Sequence, residues 1–400
     1  MGNREIGSRQ TAWFRSEHIY ADMVRIRRWF HRHPELAFEE VETAEFIINE
    51  LKRLGLPYEY GGKGSGVIAR LKRDSSRPTV ALRAEMDALP GSETTGAPYT
   101  SDHPGRVHAC GHGAHMAMVL GAARLLTETP PDGNVVLVFQ PAEERGAGSR
   151  TTIEAGALDG VSAIFAGHVT HQWEPGHIMV KKGVVTSQSD RFSIHITGRG
   201  GHGARPHEAI DAVVIAGFLI TAIQTLVSRE INPLHPSVVT IGTVRAGSAA
   251  NMIAEEATLE GSIRTTLEET RTHLHRGLRR MAEAASMLHD ADIQIDIQEG
   301  YPPVVNSSRE SEIARNAVHN ILGEHGLVGS EYPSMGSEDF SYFLREVPGC
   351  FVRFGARPPD WEPIPLHSPA FDIDEKVLKV GASFFDEVVR LSLHEYQQRE

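Results

Sequence analysis

The chain has 400 residues, 40% of them hydrophobic and 23% charged, which is the profile of a globular protein too long for one ordinary hydrophobic core, so two domains are expected. Its formal charge of −12 argues against a nucleic-acid partner, because phosphate binding takes a concentrated basic surface and no block of Lys and Arg supplies one. The N-terminal stretch MGNREIGSRQTAWFRSEHIY has no apolar core of signal-peptide length, and no later run reads as a bilayer span, so a cytoplasmic protein without membrane contact is expected.

Residues 17–55 read as helical, with apolar positions at helical spacing in ADMVRIRRWFHRHPEL and again in VETAEFIINELKRLGL. Four short apolar runs that stop abruptly at polar residues follow: Thr79 to Asp87, Asn134 to Gln140, Ser162 to His168 and Cys350 to Gly355. Each is expected as a buried strand. An amphipathic helix is expected over Ala114 to Glu128 and another over Glu375 to Tyr396. Strands alternating with helices predict an α/β fold, a mostly parallel sheet covered on both faces, in which ligands gather beyond the carboxyl ends of the strands.

The middle of the chain reads differently. A strand Phe192 to Ile196, a helix from about Ala209 to Ser228, strands Val238 to Val244 and Ala257 to Arg264, a helix from about Leu267 to Leu288 and a strand Ile293 to Gln298 follow one another. That order, β-α-β-β-α-β, predicts a ferredoxin-like module. It is expected as a second domain over residues 188–300, inserted into a first domain made of 1–187 and 301–400.

The chemistry-bearing residues lie at the expected strand ends. HACGHGAH, residues 108–115, holds three histidines and one of the two cysteines, Cys110 and Cys350. A disulfide is not expected in the cytoplasm, which leaves a thiol free for chemistry. By itself this stretch fits a metal site, a nucleophilic cysteine with His108 or His112 as base, or a polar loop. Just past NVVLVFQ come Glu143 and Glu144, whose side chains backbone alternation sends in different directions, so one can bind a metal while the other holds a proton. His168 ends SAIFAGH, and His367 lies in PIPLHSPAF after the last strand; alone, each reads equally as a core or loop histidine. Together they supply thiolate, imidazole and carboxylate, a mixture suited to Zn²⁺ or Mn²⁺, although neither zinc-finger spacing nor HExxH is present.

The ordered series HRHPELAFEE, RAEMDALP, HACGHGAH, FQPAEERGAGS, GHV, GRGGHGARPH, GSIRTT, GSEDFSYF and LHSP resembles the M20 metallopeptidase and amidohydrolase family, in its aminoacylase, hippurate hydrolase and auxin-conjugate hydrolase branch. The resemblance runs over nearly the whole chain. It implies two divalent metal ions per subunit, Mn²⁺ or Zn²⁺, held by Cys110, His112, Glu144, His168 and His367, with Cys110 bridging as thiolate. Glu143 would be the general base that takes a proton from the attacking water and returns it to the leaving amine. The inserted module would be a lid and homodimerisation domain. His202 would reach the partner subunit's active site and donate to the developing oxyanion. Asn251 and Arg264 would hold a substrate carboxylate.

The activity implied is hydrolysis of the C–N bond of an N-acyl amino acid or similar small conjugate. Alternatives are displacement of an amine from an aromatic substrate, and a metal- or ligand-binding relative without catalysis. The sequence departs from the family pattern at Gly113 and Glu85, where most relatives carry Asp, and at Ala254, where they carry Pro. Gly113 removes a negative charge and is expected to open space beside the metals.

Overall fold

A computed structural model describes residues 16–62 and 66–398; most of the N-terminal stretch read for a signal segment lies outside them. The main elements in chain order are α1 (Tyr20–Arg32), α2 (Val41–Arg53), β1 (Tyr58–Tyr60), β2 (Val67–Leu71), β3 (Thr79–Glu85), α3 (His112–Glu128), β4 (Asn134–Gln140), α4 (Gly148–Glu154), β5 (Ala163–Thr170) and β6 (Ile178–Met179). They continue as β7 (Gln188–Thr197), α5 (Ala212–Thr225), β8 (Ser237–Ala246), β9 (Glu256–Thr265), α6 (Glu268–His289) and β10 (Asp292–Glu299). The chain closes with α7 (Ser308–Leu322), β11 (Leu327–Val328), α8 (Phe340–Glu346), β12 (Gly349–Gly355) and α9 (Val377–Gln397).

Two compact units result. The first contains the chain up to Val185, Val305–Glu331 and everything from Asp339 on. Its eight-stranded sheet has the order β1-β2-β4-β3-β5-β12-β6-β11. The centre is parallel: β3 pairs in parallel with β4 and β5, and β5 with β12, while β2 joins β4 antiparallel. Strands β4 and β5 are buried along their whole length, as the continuous apolar runs of a sheet covered on both faces require. Helix α3 is buried nearly all round, packed against α1 and α9.

The second unit is Thr186–Val304 with Tyr332–Glu338. Its four-stranded antiparallel sheet has the order β8-β9-β7-β10, and the elements run β-α-β-β-α-β. Strand β7 alternates strictly, burying Phe192, Ile194 and Ile196 on one face, and α5 and α6 cover that sheet.

Helix α5 and the π-helical turn that follows it (Leu226–Glu230) form a run, Ala212–Glu230, of 19 residues with hydropathy 1.7, long and apolar enough to cross a bilayer by length and composition. Its buried positions, Ala212, Ile215, Ala216, Leu219 and Ile223, recur at helical spacing and join the unit's own core. Membrane helices and core helices share this composition, and here one stripe packs on a sheet. Val213, Val214 and Phe218 on the same helix are exposed.

Candidate metal centre

The first unit gathers its unusual side chains at the carboxyl ends of β3, β4 and β5. At the entry to α3, Gly111 has φ +90°, and a Cβ there would collide with the Val169 side chain, so only glycine lets the chain turn between Cys110 and His112. The helix begins at His112, earlier than its periodicity predicts. After β4 the chain turns through Ala142 (φ 52°), whose N–H donates to Glu40 Oε1 at 2.8 Å. That turn presents Glu143 and Glu144. His367, itself at φ 69°, is tied down by its N–H, which donates to the Ala109 carbonyl at 2.8 Å.

Ligand atoms of Cys110, His112 and His168 lie within 4.8 Å of one another. The same holds for Cys110, Glu144 and His367, and for His112, Glu143 and Glu144. Cys110 thus belongs to two overlapping groups. Its Sγ is 3.3 Å from His168 Nε2, and His367 Nε2 is 3.3 Å from Glu144 Oε1. All six residues expected from the sequence in this unit are therefore together.

Two of the three imidazoles are oriented through their other nitrogen. His112 Nδ1 donates to the Asp87 carbonyl at 2.7 Å, and His168 Nδ1 to the Val169 carbonyl at 2.8 Å. This turns Nε2 of both toward the cluster. His112 Nε2 is buried without a hydrogen-bond partner, a costly arrangement for a protein interior and one that a bound cation relieves.

Charge in the pocket points the same way. Burial, then the carboxylates of Glu144 and Glu143, push the Cys110 thiol well up from its usual range. Burial pushes the His112 imidazole down, but the hydrogen bond to Asp87 and the carboxylates of Glu85, Asp87 and Glu144 outweigh it and raise it to about 10. A thiol and two carboxylates in one buried pocket favour positive charge among them. Sulfur, nitrogen and oxygen donors in that mixture fit a borderline divalent ion.

Two readings of the sequence change here. The imidazole on Cys110 is that of His168, not His108 or His112, and with the thiol pushed up the pair lacks the electropositive surroundings of a nucleophilic cysteine. Gly113 does not open space beside the cluster. A Cβ on it would sit 3.2 Å from Phe30 Cβ and 3.6 Å from the Arg27 carbonyl, so this position faces α1.

Asp87 is the residue that sequence reasoning missed. Its carboxylate accepts the N–H groups of Glu143 and Glu144, each at 3.0 Å, while its carbonyl orients His112. The signal was its place in RAEMDALP, just past the end of β3. Glu85, the last residue of that strand, is buried, pairs with Arg83 and accepts from His115 Nδ1 at 2.9 Å.

The remaining candidates belong to the second unit. His202 is exposed, and its Nδ1 accepts the Ala204 N–H at 3.0 Å, which leaves Nε2–H as an outward donor. Asn251 lies beside it, its carbonyl accepting the Gly203 N–H at 2.9 Å. Arg264 on β9 donates from Nη1 to the Met335 carbonyl and to Ser337 Oγ, each at 3.2 Å. Ala254 is buried, and its carbonyl accepts from Ala212 at the start of α5.

The sequence matches the profile of Peptidase family M20/M25/M40 over residues 81–391. The chain belongs to this family. An N-acetyl-L-cysteine deacetylase of Bacillus subtilis (strain 168) is 39% identical over 366 residues, covering 91% of this chain and 86% of the relative. An IAA-amino acid hydrolase of Arabidopsis thaliana is 39% identical over 371 residues, covering 90% and 83%. Among solved structures, a dinuclear metal binding peptidase of the M20 family from Bacillus subtilis superposes with TM-score 0.82 at 35% identity, over 94% of this chain and 99% of its own. The large, mostly parallel sheet is that of an M20 structure.

Proposed function

We propose that the protein is a metal-dependent amidohydrolase that cleaves the C–N bond of an N-acyl amino acid or similar small conjugate. The observation that carries this reading is the buried, unpartnered Nε2 of His112 in a donor set that shares Cys110 between two groups. The kinship with a deacetylase and an IAA-amino acid hydrolase supports the bond class.

Cys110, His112, Glu144, His168 and His367 would hold two divalent ions, Zn²⁺ or Mn²⁺, and Cys110 belongs to two of the ligand groups. Such ions supply activation of a water molecule and polarisation of a scissile carbonyl. Glu143 would take the proton from that water and hand it to the departing amine; its backbone N–H is fixed by Asp87, which sets where its carboxylate can reach. In the second unit the Nε2–H of His202 is a donor suited to a developing oxyanion, and the fork of Arg264 with the Asn251 amide suits a substrate carboxylate.

The second unit, residues 188–300 in the main, would act as a lid and as the face of a homodimer. Val213, Val214 and Phe218 on α5, with Val238 and Val244 on the edge strand β8, are exposed apolar side chains that a second copy would cover. The setting would be the cytoplasm, where Cys110 stays reduced.

Chelator treatment and product analysis test the function. After EDTA and desalting, hydrolysis of N-acetyl and indole-acetyl amino acids should vanish and return with Zn²⁺ or Mn²⁺. Activity that survives chelation would sink the metal reading. A hydroxyl in place of the amine, with no carboxylate released, would sink the amide reading.

A further inference from the structure

Strand β3 pairs with β5 only as far as Arg83 and Ala166, because β3 ends at Glu85 and the chain turns away. Beyond that register β5 continues through Gly167, His168, Val169 and Thr170 with its other edge still paired to β12. Buried peptide groups on the β3 side then need other partners. Two imidazoles supply them, both on the same residue. The Val169 N–H donates to His115 Nε2 at 2.9 Å, and the Val169 carbonyl accepts from His168 Nδ1 at 2.8 Å.

This fixes the state of His115. Since Nε2 accepts a backbone N–H, the ring proton is on Nδ1, where it donates to Glu85 Oε2 at 2.9 Å. Both nitrogens of His115 are therefore used, which removes it as a ligand although Glu85, His112 and His115 also lie within 4.8 Å of one another. Glu85 is held in turn by Arg83, and Arg83 Nη2 donates to Asp339 Oδ1 at 2.8 Å. The His115 and His168 rings are 4.6 Å apart, so the first lies against the second as well as gripping its neighbouring peptide.

We infer that His115, seated by Glu85, is a positioning residue that clamps the Val169 peptide and through it aims His168 Nε2 into the metal cluster. The chain of contacts runs Glu85, His115, Val169, His168, and every link is buried. A glutamate at position 85, where the family pattern has the shorter Asp, spans both Arg83 and His115 with its two oxygens. The prediction is local. Of the three overlapping ligand groups only Cys110, His112 and His168 contains His168, so loosening its imidazole should affect one ion and spare the other.

The experiment uses the full chain, Zn²⁺ and a chromophoric competing chelator, with H115N and H115Q compared against wild type. An asparagine amide sits near the place of Nδ1: it keeps Glu85 but cannot reach the Val169 N–H. A glutamine oxygen reaches the place of Nε2 and can accept it. H115N should weaken one of two Zn²⁺ sites about 10–100-fold and leave the second unchanged, whereas H115Q should stay within about threefold at both. Melting of the metal-free proteins checks that both variants fold.

Equal binding by wild type and H115N, a parallel loss at both sites, or an H115Q loss as deep as that of H115N would overturn the clamp. The inference rests on the metal reading above. A wild-type chain that takes up no Zn²⁺ would overturn both together, while a change confined to the variants decides the clamp alone.

Discussion

The carbonyl oxygen of Asp87 lies 2.7 Å from Nδ1 of His112, and the carboxylate of the same aspartate holds the turn that presents Glu143 and Glu144. One residue therefore sets the orientation of an imidazole from α3 and of two carboxylates from the end of β4. Replacing Asp87 with alanine leaves the backbone carbonyl on His112 but strips two N–H groups of their acceptor. We expect a loss of about 1–3 kcal/mol for each group left dry, and a fall of about 10–100-fold in metal affinity as the turn loosens. Thermal melting with and without Zn²⁺ measures both. Metal affinity equal to wild type would show that the turn needs no help from Asp87.

Glu143 and Glu144 are neighbours with different surroundings. Glu144 joins Cys110 and His367 in one group of ligand atoms, and burial is outweighed by His367 and His112, which hold its carboxyl below the usual range. Glu143→Gln should keep two ions per chain by elemental analysis and lower kcat by about 10²–10⁴-fold, the range of a lost general base. Glu144→Gln should lose metal as well as rate. If the two variants behave alike in metal content, the division of labour between them is wrong.

Most of the fold was legible in the sequence because its strands are buried on both faces and read as unbroken apolar runs: NVVLVFQ is β4 to the residue. The strand that carries His168 runs two residues past the histidine to Thr170, since the polar end of SAIFAGH is still in register with β12. Glu143, Glu144 and His168 stand out because they follow or end apolar strand segments, whereas Cys110, His112 and His367 stand out through the family motifs HACGHGAH and LHSP. Asp87 and His115 do not, since Asp87 acts on a histidine and a turn far along the chain and His115 acts where β3 stops pairing with β5, neither of which is visible in a local sequence pattern.

The sense in which Gly113 departs from the family pattern depends on the same kind of detail. With α3 starting at His112, position 113 points at Phe30 on α1 and away from the ligand atoms. Gly113→Ala gains about 1 kcal/mol in helix propensity and loses a comparable amount to a contact that needs Phe30 to give by a few tenths of an ångström. The melting temperature should therefore move little, and Zn²⁺ affinity and KM should stay at wild-type values. A changed KM would return Gly113 to the pocket wall.

The second unit carries its own buried charge network, and that network sets an acid limit. Asp190 on β7 accepts hydrogen bonds from Arg271, from His275 at 2.7 Å and from the Gly300 N–H at 3.0 Å. Burial pushes its carboxyl up, but the hydrogen bonds from His275, Arg271 and Gly300 outweigh burial and lower it to about 2. A folded-state value below the unfolded one, about 3.9, means that this stabilisation is complete above that value and is lost as pH falls through the folded one. Asp190→Asn leaves the buried Arg271 without its main partner and should cost about 3 kcal/mol at neutral pH, the low end for a broken buried pair, because Glu268 and Glu299 remain 3.7 and 3.4 Å from Arg271. The gap in melting temperature between wild type and Asp190→Asn should close between about pH 4 and pH 2. Other carboxylates titrate in both proteins and cancel in the difference. A gap that stays open at pH 2 would assign the cost to packing around Asp190 and not to its charge.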